Sequence, residues 1–141
     1  MSSTDDNIES YLGKLRHGSM DAAFHGLLEI GCLAIPKLTE EFRKEVSPNV
    51  RAELVRIIWN YRQKSTIPFL QKALFDDSFR VWSNALDGLV TLASPEVIQV
   101  LREALTRSFV SKKAEDRFRK YIEEAIQQVD TELAKRKEGS S

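Results

Sequence analysis

Cysteine is nearly absent from this chain of 141 residues, and with Cys32 alone no internal disulfide and no zinc-finger spacing is possible. Histidine is almost as scarce. Neither His17 nor His25 has a histidine or cysteine three or four positions away, the spacing that sets two metal ligands on one helix face. The six glycines are scattered and make no phosphate-cradling loop. An excess of one charge is also missing, because 21 lysines and arginines balance 21 aspartates and glutamates. Proteins that grip duplex phosphates usually carry a basic surplus, so the balance argues against nucleic acid as the main partner. No apolar run approaches the roughly 18 residues that span a bilayer. Residues 1–7 are polar and acidic, without the basic start and apolar centre of an export signal. These absences predict a cytoplasmic globular domain with no metal, no cofactor and no membrane association.

What is present is repetition. Ala34-Ile35-Pro36-Lys37-Leu38 returns as Thr66-Ile67-Pro68-Phe69-Leu70, 32 positions on. The stretch from Ile67 to Leu74 matches that from Ile98 to Leu105 at an offset of 31. Upstream, Ala23, Leu54 and Ala85 share a phase at the same offset, as do Leu27, Ile58 and Leu89. A period of 31 to 32 with apolar residues in matching phase is the mark of a helix-turn-helix array.

Within each half-repeat the apolar residues recur at three and four, as in Leu54, Ile57, Ile58 and Tyr61, which predicts helices. Ser47-Pro48 and Ser94-Pro95 each pair a capping hydroxyl with a proline at the first helical position. Asp77 and Ser111 are the expected caps of the helices that follow them, and Gly31 a left-handed helix end. The expected architecture is all-α: a short right-handed α-solenoid of three helical hairpins sharing one continuous apolar spine. An N-terminal helix and loop occupy 1–18, the repeats 19–47, 48–76 and 77–107, a long capping helix 108–136, and a flexible tail 137–141. The helices themselves are expected at 5–16, 20–30, 34–46, 48–62, 66–75, 78–92, 95–107 and 112–136. On the last, Glu115 with Arg119, Asp116 with Lys120, and Glu132 with Arg136 stand at ion-pair spacing.

Several of these strings resemble a known family. Ala34-Ile35-Pro36-Lys37-Leu38, together with Val81, Ala85 and Leu89 following Asp77, resembles HEAT-like repeats of the bacterial, phycobilisome-lyase-like class. Asn49-Val50-Arg51 supplies the Val-Arg element that opens a first helix, and Asp77-Ser78-Phe79-Arg80-Val81 a rearranged form of it. Only the first repeat keeps the glycine between its helices, as Gly31; Arg62, and Ala93 or Ser94, stand in its place later. The third repeat also lacks the Ile-Pro proline. The resemblance spans residues 19–107 and implies an α-solenoid that binds macromolecules. It does not identify the ligand, since a fold does not dictate a function. The His-Glu dipeptides that hold iron in hydroxylases built from similar repeats are absent.

No catalytic set emerges. Glu40-Glu41, Asp76-Asp77 and Glu123-Glu124 are sequence neighbours, which diverge by about 100° on a helix and do not face one another. Cys32 reads as a small buried filler, and Trp59 and Trp82 as core residues, Trp59 packing between hairpins. Family habit places the second helices on the concave side. Opposite their core stripe the expected partner-binding residues are Lys37, Glu40 and Lys44, then Phe69, Lys72 and Asp76, then Val100, Glu103 and Arg107. A mixed-charge row beside apolar side chains suits a protein groove better than a phosphate track. Phe69 is the expected hot spot, with packing against a neighbouring hairpin as its alternative. The basic stretch 107–121 reads as a solvated loop and helix face, or as a local anion site. The leading expectation is a non-catalytic adaptor, accessory or inhibitor subunit. Its alternatives are a nucleic-acid-binding module of the alkylation-repair type and a self-associating structural unit.

Overall fold

The structure, a computed structural model, describes residues 3–139. Eight α-helices follow one another: α1 (Ser3–Arg16), α2 (Met20–Ile30), α3 (Ile35–Lys44), α4 (Pro48–Asn60), α5 (Ile67–Ala73), α6 (Phe79–Leu92), α7 (Pro95–Ala104) and α8 (Lys112–Gly139). Single 3-10 turns precede α3 and α5. Local chemistry accounts for most of the boundaries. Ser47 Oγ accepts from Val50 N–H at 3.3 Å and Ser94 Oγ from Val97 N–H at 3.4 Å, each ahead of a proline whose missing donor would be unsatisfied anyway. Ser111 Oγ accepts from Ala114 N–H in the same way at the start of α8. At α6 the expected cap is corrected: Asp77 faces solvent, and Asp76 Oδ1 takes the Ser78 N–H at 3.0 Å.

The helices form a short α-solenoid. First helices α2, α4, α6 and α8 pack in succession, while α3, α5 and α7 form a second row beside them. Helix α1 packs on α2 at one end, and α8 covers α7 and α6 at the other. The apolar interior is divided in two, where one unbroken spine is the sequence expectation. Ile8, Leu12, Leu15, Leu27 and Leu38 meet Leu54, Ile57 and Ile58 on one side of α4. Ala52 and Val55, on its other side, belong to a larger cluster that runs through Leu70, Trp82, Leu89 and Leu101 to Phe118 and Val129. Phe42 and Phe69 touch both clusters and join them.

Close approach of α4 and α6 depends on one glycine. A Cβ at Gly88 would lie 2.5 Å from Trp59 Cβ and 2.7 Å from its Cγ, so the indole lies directly on the backbone of α6. Trp82 is buried, with Phe79, Phe118 and Tyr121 edge-on around it. Cys32 is not the expected filler. It opens the 3-10 turn after Gly31 and is exposed, and Ala34 is the buried residue of that turn.

Three arginines stitch the connections between hairpins. Arg16 pairs with Glu41 and Glu45, the latter at 3.4 Å. Arg51 donates to the carbonyls of Glu45 and Val46 at 3.1 and 2.9 Å and reaches Asp76 with both ends of its fork. Arg107 donates to the carbonyls of Leu74 and Asp76 at 2.7 and 3.2 Å. Arg51 and Arg107 thereby satisfy loop carbonyls that packing would strip of water.

The final helix runs to Gly139, past the expected end at 136; the last two residues of the expected tail lie outside the described residues. Its ion pairs differ from two of the three expected. Asp116 is met by Lys112 at 3.1 Å and Arg119 approaches Glu123 at 4.0 Å, while Arg136 and Glu132 pair at 3.4 Å.

Candidate functional site

Each second helix has a core edge, two flanks facing its neighbours in the row, and an outer edge in solvent. On α3 the core residue Leu38 is fully buried. Lys37 and Glu41 lie on the flank toward α1, where Lys37 Nζ meets Glu9 at 2.8 Å and Glu41 receives Arg16. That hydrogen bond and the attraction behind it hold the Lys37 ammonium above the ordinary lysine range and the Glu9 carboxyl below its own. Thr39, Phe42 and Arg43 lie on the other flank, toward α5.

This division sorts the nine expected residues. Lys37, Phe69 and Val100 occupy equivalent positions, one before a fully buried leucine (Leu38, Leu70, Leu101), and belong to the seam between layers. Phe69 is partly buried with its ring edge-on to Phe42, centroids 5.1 Å apart. Val100, 6% exposed, is part of the interior and offers nothing to a partner. Glu40, Lys72 and Glu103 are all exposed on the outer edge. Lys44 is exposed as well and pairs with Glu40 at 3.4 Å. Asp76 and Arg107 are held inside by the loop contacts already described, with side chains only 13% and 10% exposed, and are removed from the surface set. The periodic stripe drawn from sequence is tilted toward the preceding layer. Its apolar members face the neighbouring helix, and its last pair closes a loop.

Between α3 and α5 the row opens into a cleft of about 320 Å³, lined by Thr39, Phe42, Arg43, Pro68, Phe69 and Lys72. Four of these six, Thr39, Phe42, Arg43 and Pro68, are outside the set drawn from sequence. The signal for them in sequence is the 39–43 spacing on the free flank of α3, which the stripe opposite the core passes over. The next gap, between α5 and α7, is bridged: Gln71 Nε2 donates to Glu103 at 2.9 Å, and Gln99, one turn earlier on α7, donates to the same carboxylate at 3.2 Å.

Two of the hollows elsewhere hold aromatic side chains. One, of about 360 Å³, is lined by Phe79, Trp82 and Phe109 together with Arg107, Lys113 and Arg117, so aromatic and basic groups do meet on the surface near the start of α8. Much of its charge is already engaged. Arg117 lies 3.7 Å over the Phe79 ring and Arg107 4.3 Å over that of Phe109, and burial lowers the Arg107 pKa from the ordinary arginine value. The other, of about 450 Å³, lies among α4, α6 and α8 and includes Trp59, Asp87, Tyr121 and Glu124. Burial raises the Asp87 carboxyl above the ordinary aspartate range.

Among the described residues no three His, Cys, Asp or Glu side chains stand close enough to hold a metal ion. No helix among them is long and apolar enough to cross a membrane.

A family model of HEAT repeats matches residues 35–127, from the start of α3 into α8. No curated protein and no solved structure matches the chain. The match is to HEAT repeats at large, and the narrower phycobilisome-lyase-like class remains a resemblance. HEAT repeats generally serve as protein-interaction modules and are typically non-catalytic. With two thirds of its length covered by that model and its hairpins stacked as a short solenoid, the chain belongs to the HEAT-repeat family.

Proposed function

We propose that this chain is a non-catalytic protein-interaction module, an adaptor, accessory or inhibitor subunit, that holds a partner on the outer face of α3, α5 and α7. The observation that carries the reading is an asymmetry on the second helices. Their core edges and seams hold the stack together, while Glu40, Lys72 and Glu103 project into solvent beside an open, aromatic-floored cleft. The carboxylates that could serve acid–base chemistry are dispersed in ion pairs, caps and loop contacts, which supports a binding role over a catalytic one.

The test is affinity capture from the native host with the intact protein and two charge-reversed variants. Glu40→Lys with Lys72→Glu and Glu103→Lys alters the second-helix face; Asp21→Lys with Glu29→Lys alters exposed positions on α2. The expected result is a stoichiometric partner retained by wild type and the α2 variant and lost by the second-helix variant. Loss with the α2 variant alone would place binding on the first helices and contradict the reading.

The aromatic–basic hollow at the start of α8 gives the nucleic-acid alternative its one specific footing. That reading requires salt-dependent binding of labelled DNA or RNA that Lys113→Glu with Arg117→Glu abolishes.

A further inference from the structure

Resting on the reading above, we infer that the cleft between α3 and α5 takes a short acidic segment of the partner. The segment seats one apolar side chain, aromatic or branched, over Phe42, Pro68 and Phe69 and sets its carboxylates against Arg43 and Lys72. Size comes first. At about 320 Å³ the cleft is at the small end of the ~300–1,000 Å³ range of ligand pockets, room for an anchoring side chain but not for a folded surface. Its floor consists of partly buried rings edge-on to each other with an exposed proline at the rim, the kind of surface that carries hot-spot energy.

Charge decides the chemistry of the occupant. No carboxylate lines the cleft. The acidic groups nearby are engaged elsewhere: Glu40 with Lys44, Glu41 and Glu45 with Arg16, Asp76 with Arg51. Lys37 and Lys44, the other cations of α3, are also paired. Arg43 and Lys72 are exposed, stand one on each side of the aromatic floor, and have no ion-pair partner among the described residues. Two uncompensated positive charges bracketing an apolar floor are complementary to an apolar residue between carboxylates, and repel a basic segment. The α5–α7 gap is closed by the Gln71–Glu103 bond, and in the hollow at the start of α8 Arg107 and Arg117 already lie over its own rings, which leaves the α3–α5 cleft as the favoured seat.

The test is selection of a random 12-residue phage-displayed library on the folded, immobilised full-length chain. Selected clones are then measured as synthetic peptides by fluorescence anisotropy. Enriched peptides are expected to combine Asp or Glu with a neighbouring aromatic or branched residue and to weaken as sodium chloride rises. Arg43→Glu with Lys72→Glu is expected to lower their affinity about tenfold or more at an unchanged melting temperature, both residues being exposed. Arg102→Glu, an exposed reversal on α7 outside the cleft, is expected to leave affinity within about twofold. Failure to enrich any sequence overturns the inference, as does enrichment of neutral or basic ones, or equal loss with Arg102→Glu. Neutral peptides that Phe69→Leu weakens at an unchanged melting temperature would overturn the acidic segment while leaving the second-helix reading standing. Peptides indifferent to every second-helix substitution would count against both.

Discussion

Three residues at a spacing of 31 carry the most informative backbone in the molecule. Gly31, Arg62 and Ala93 all have positive φ, at 92°, 55° and 41°, and each ends the first helix of its repeat. Sequence shows the glycine only once, so the shared positive φ is hidden until the dihedrals are seen; beyond it the turns differ, with ψ at −173° in Gly31 and 66° in Ala93. Left-handed backbone costs a non-glycine residue about 1–2 kcal/mol, partly offset in Arg62→Gly by about 0.5–1 kcal/mol of added freedom in the unfolded chain. Arg62 is exposed, and Arg62→Gly is expected to stabilise by about 0.5–1 kcal/mol in urea denaturation. Ala93 is 1% exposed, so Ala93→Gly forfeits about 0.8 kcal/mol of methyl burial and is expected to come out near neutral. Tyr61 offers a second test at this scale. Its hydroxyl donates to the Leu27 carbonyl at 2.6 Å, and burial raises its pKa to about 12. A phenol whose pKa is raised on folding contributes stability that is complete below its unfolded value near 10 and lost as pH climbs through 12. Tyr61→Phe is therefore expected to flatten the fall in stability between those pH values, measured by denaturation at fixed pH steps.

Elements were more legible than contacts. Ser-Pro openings, the three-and-four apolar spacing and the capping Ser111 locate the helices, because those signals act within one turn of chain. Which flank of a helix meets a neighbour is set by stacking. That is why the stripe on α3, α5 and α7 mixed truly exposed residues such as Glu40 and Lys72 with Val100, which is interior, and Arg107, which closes a loop. Phe69 shows the difficulty: its alternation out of the core phase is real, yet its ring rests on Phe42 and contributes to packing as well as to the cleft. Phe69→Ala is accordingly expected to lower stability by about 1–3 kcal/mol, less than a fully buried phenylalanine, and cannot serve alone as a binding probe. The α4–α6 pair gives a sharper test. Gly88→Ala places a methyl against the Trp59 ring and is expected to destabilise by about 1–2 kcal/mol, overpacking exceeding the gain in helix propensity. A stabilising Gly88→Ala would show that the two helices do not approach as described.

At the scale of the whole molecule, repeat period and apolar phase were enough to read a stacked array, and the HEAT-repeat match agrees with it. The arginine links were not legible. Arg16, Arg51 and Arg107 are ordinary surface residues in sequence and acquire their roles only when segments 25 or more positions apart meet. Division of the interior at α4 was equally hidden, since both sides of that helix carry apolar residues and their spacing does not say which neighbour each side meets. Everything functional depends on neighbouring hairpins lying side by side, which sets α3 next to α5 and leaves the outer edge of the second row free. The most direct measurement is a carbon-edited NOESY spectrum of the labelled protein. Stacking in register predicts cross-peaks between the Phe42 and Phe69 rings and between the Trp59 indole and the Gly88 α-protons. Absence of both, with cross-peaks joining α2 to α8 as in a closed bundle, would contradict the solenoid and the binding face built on it.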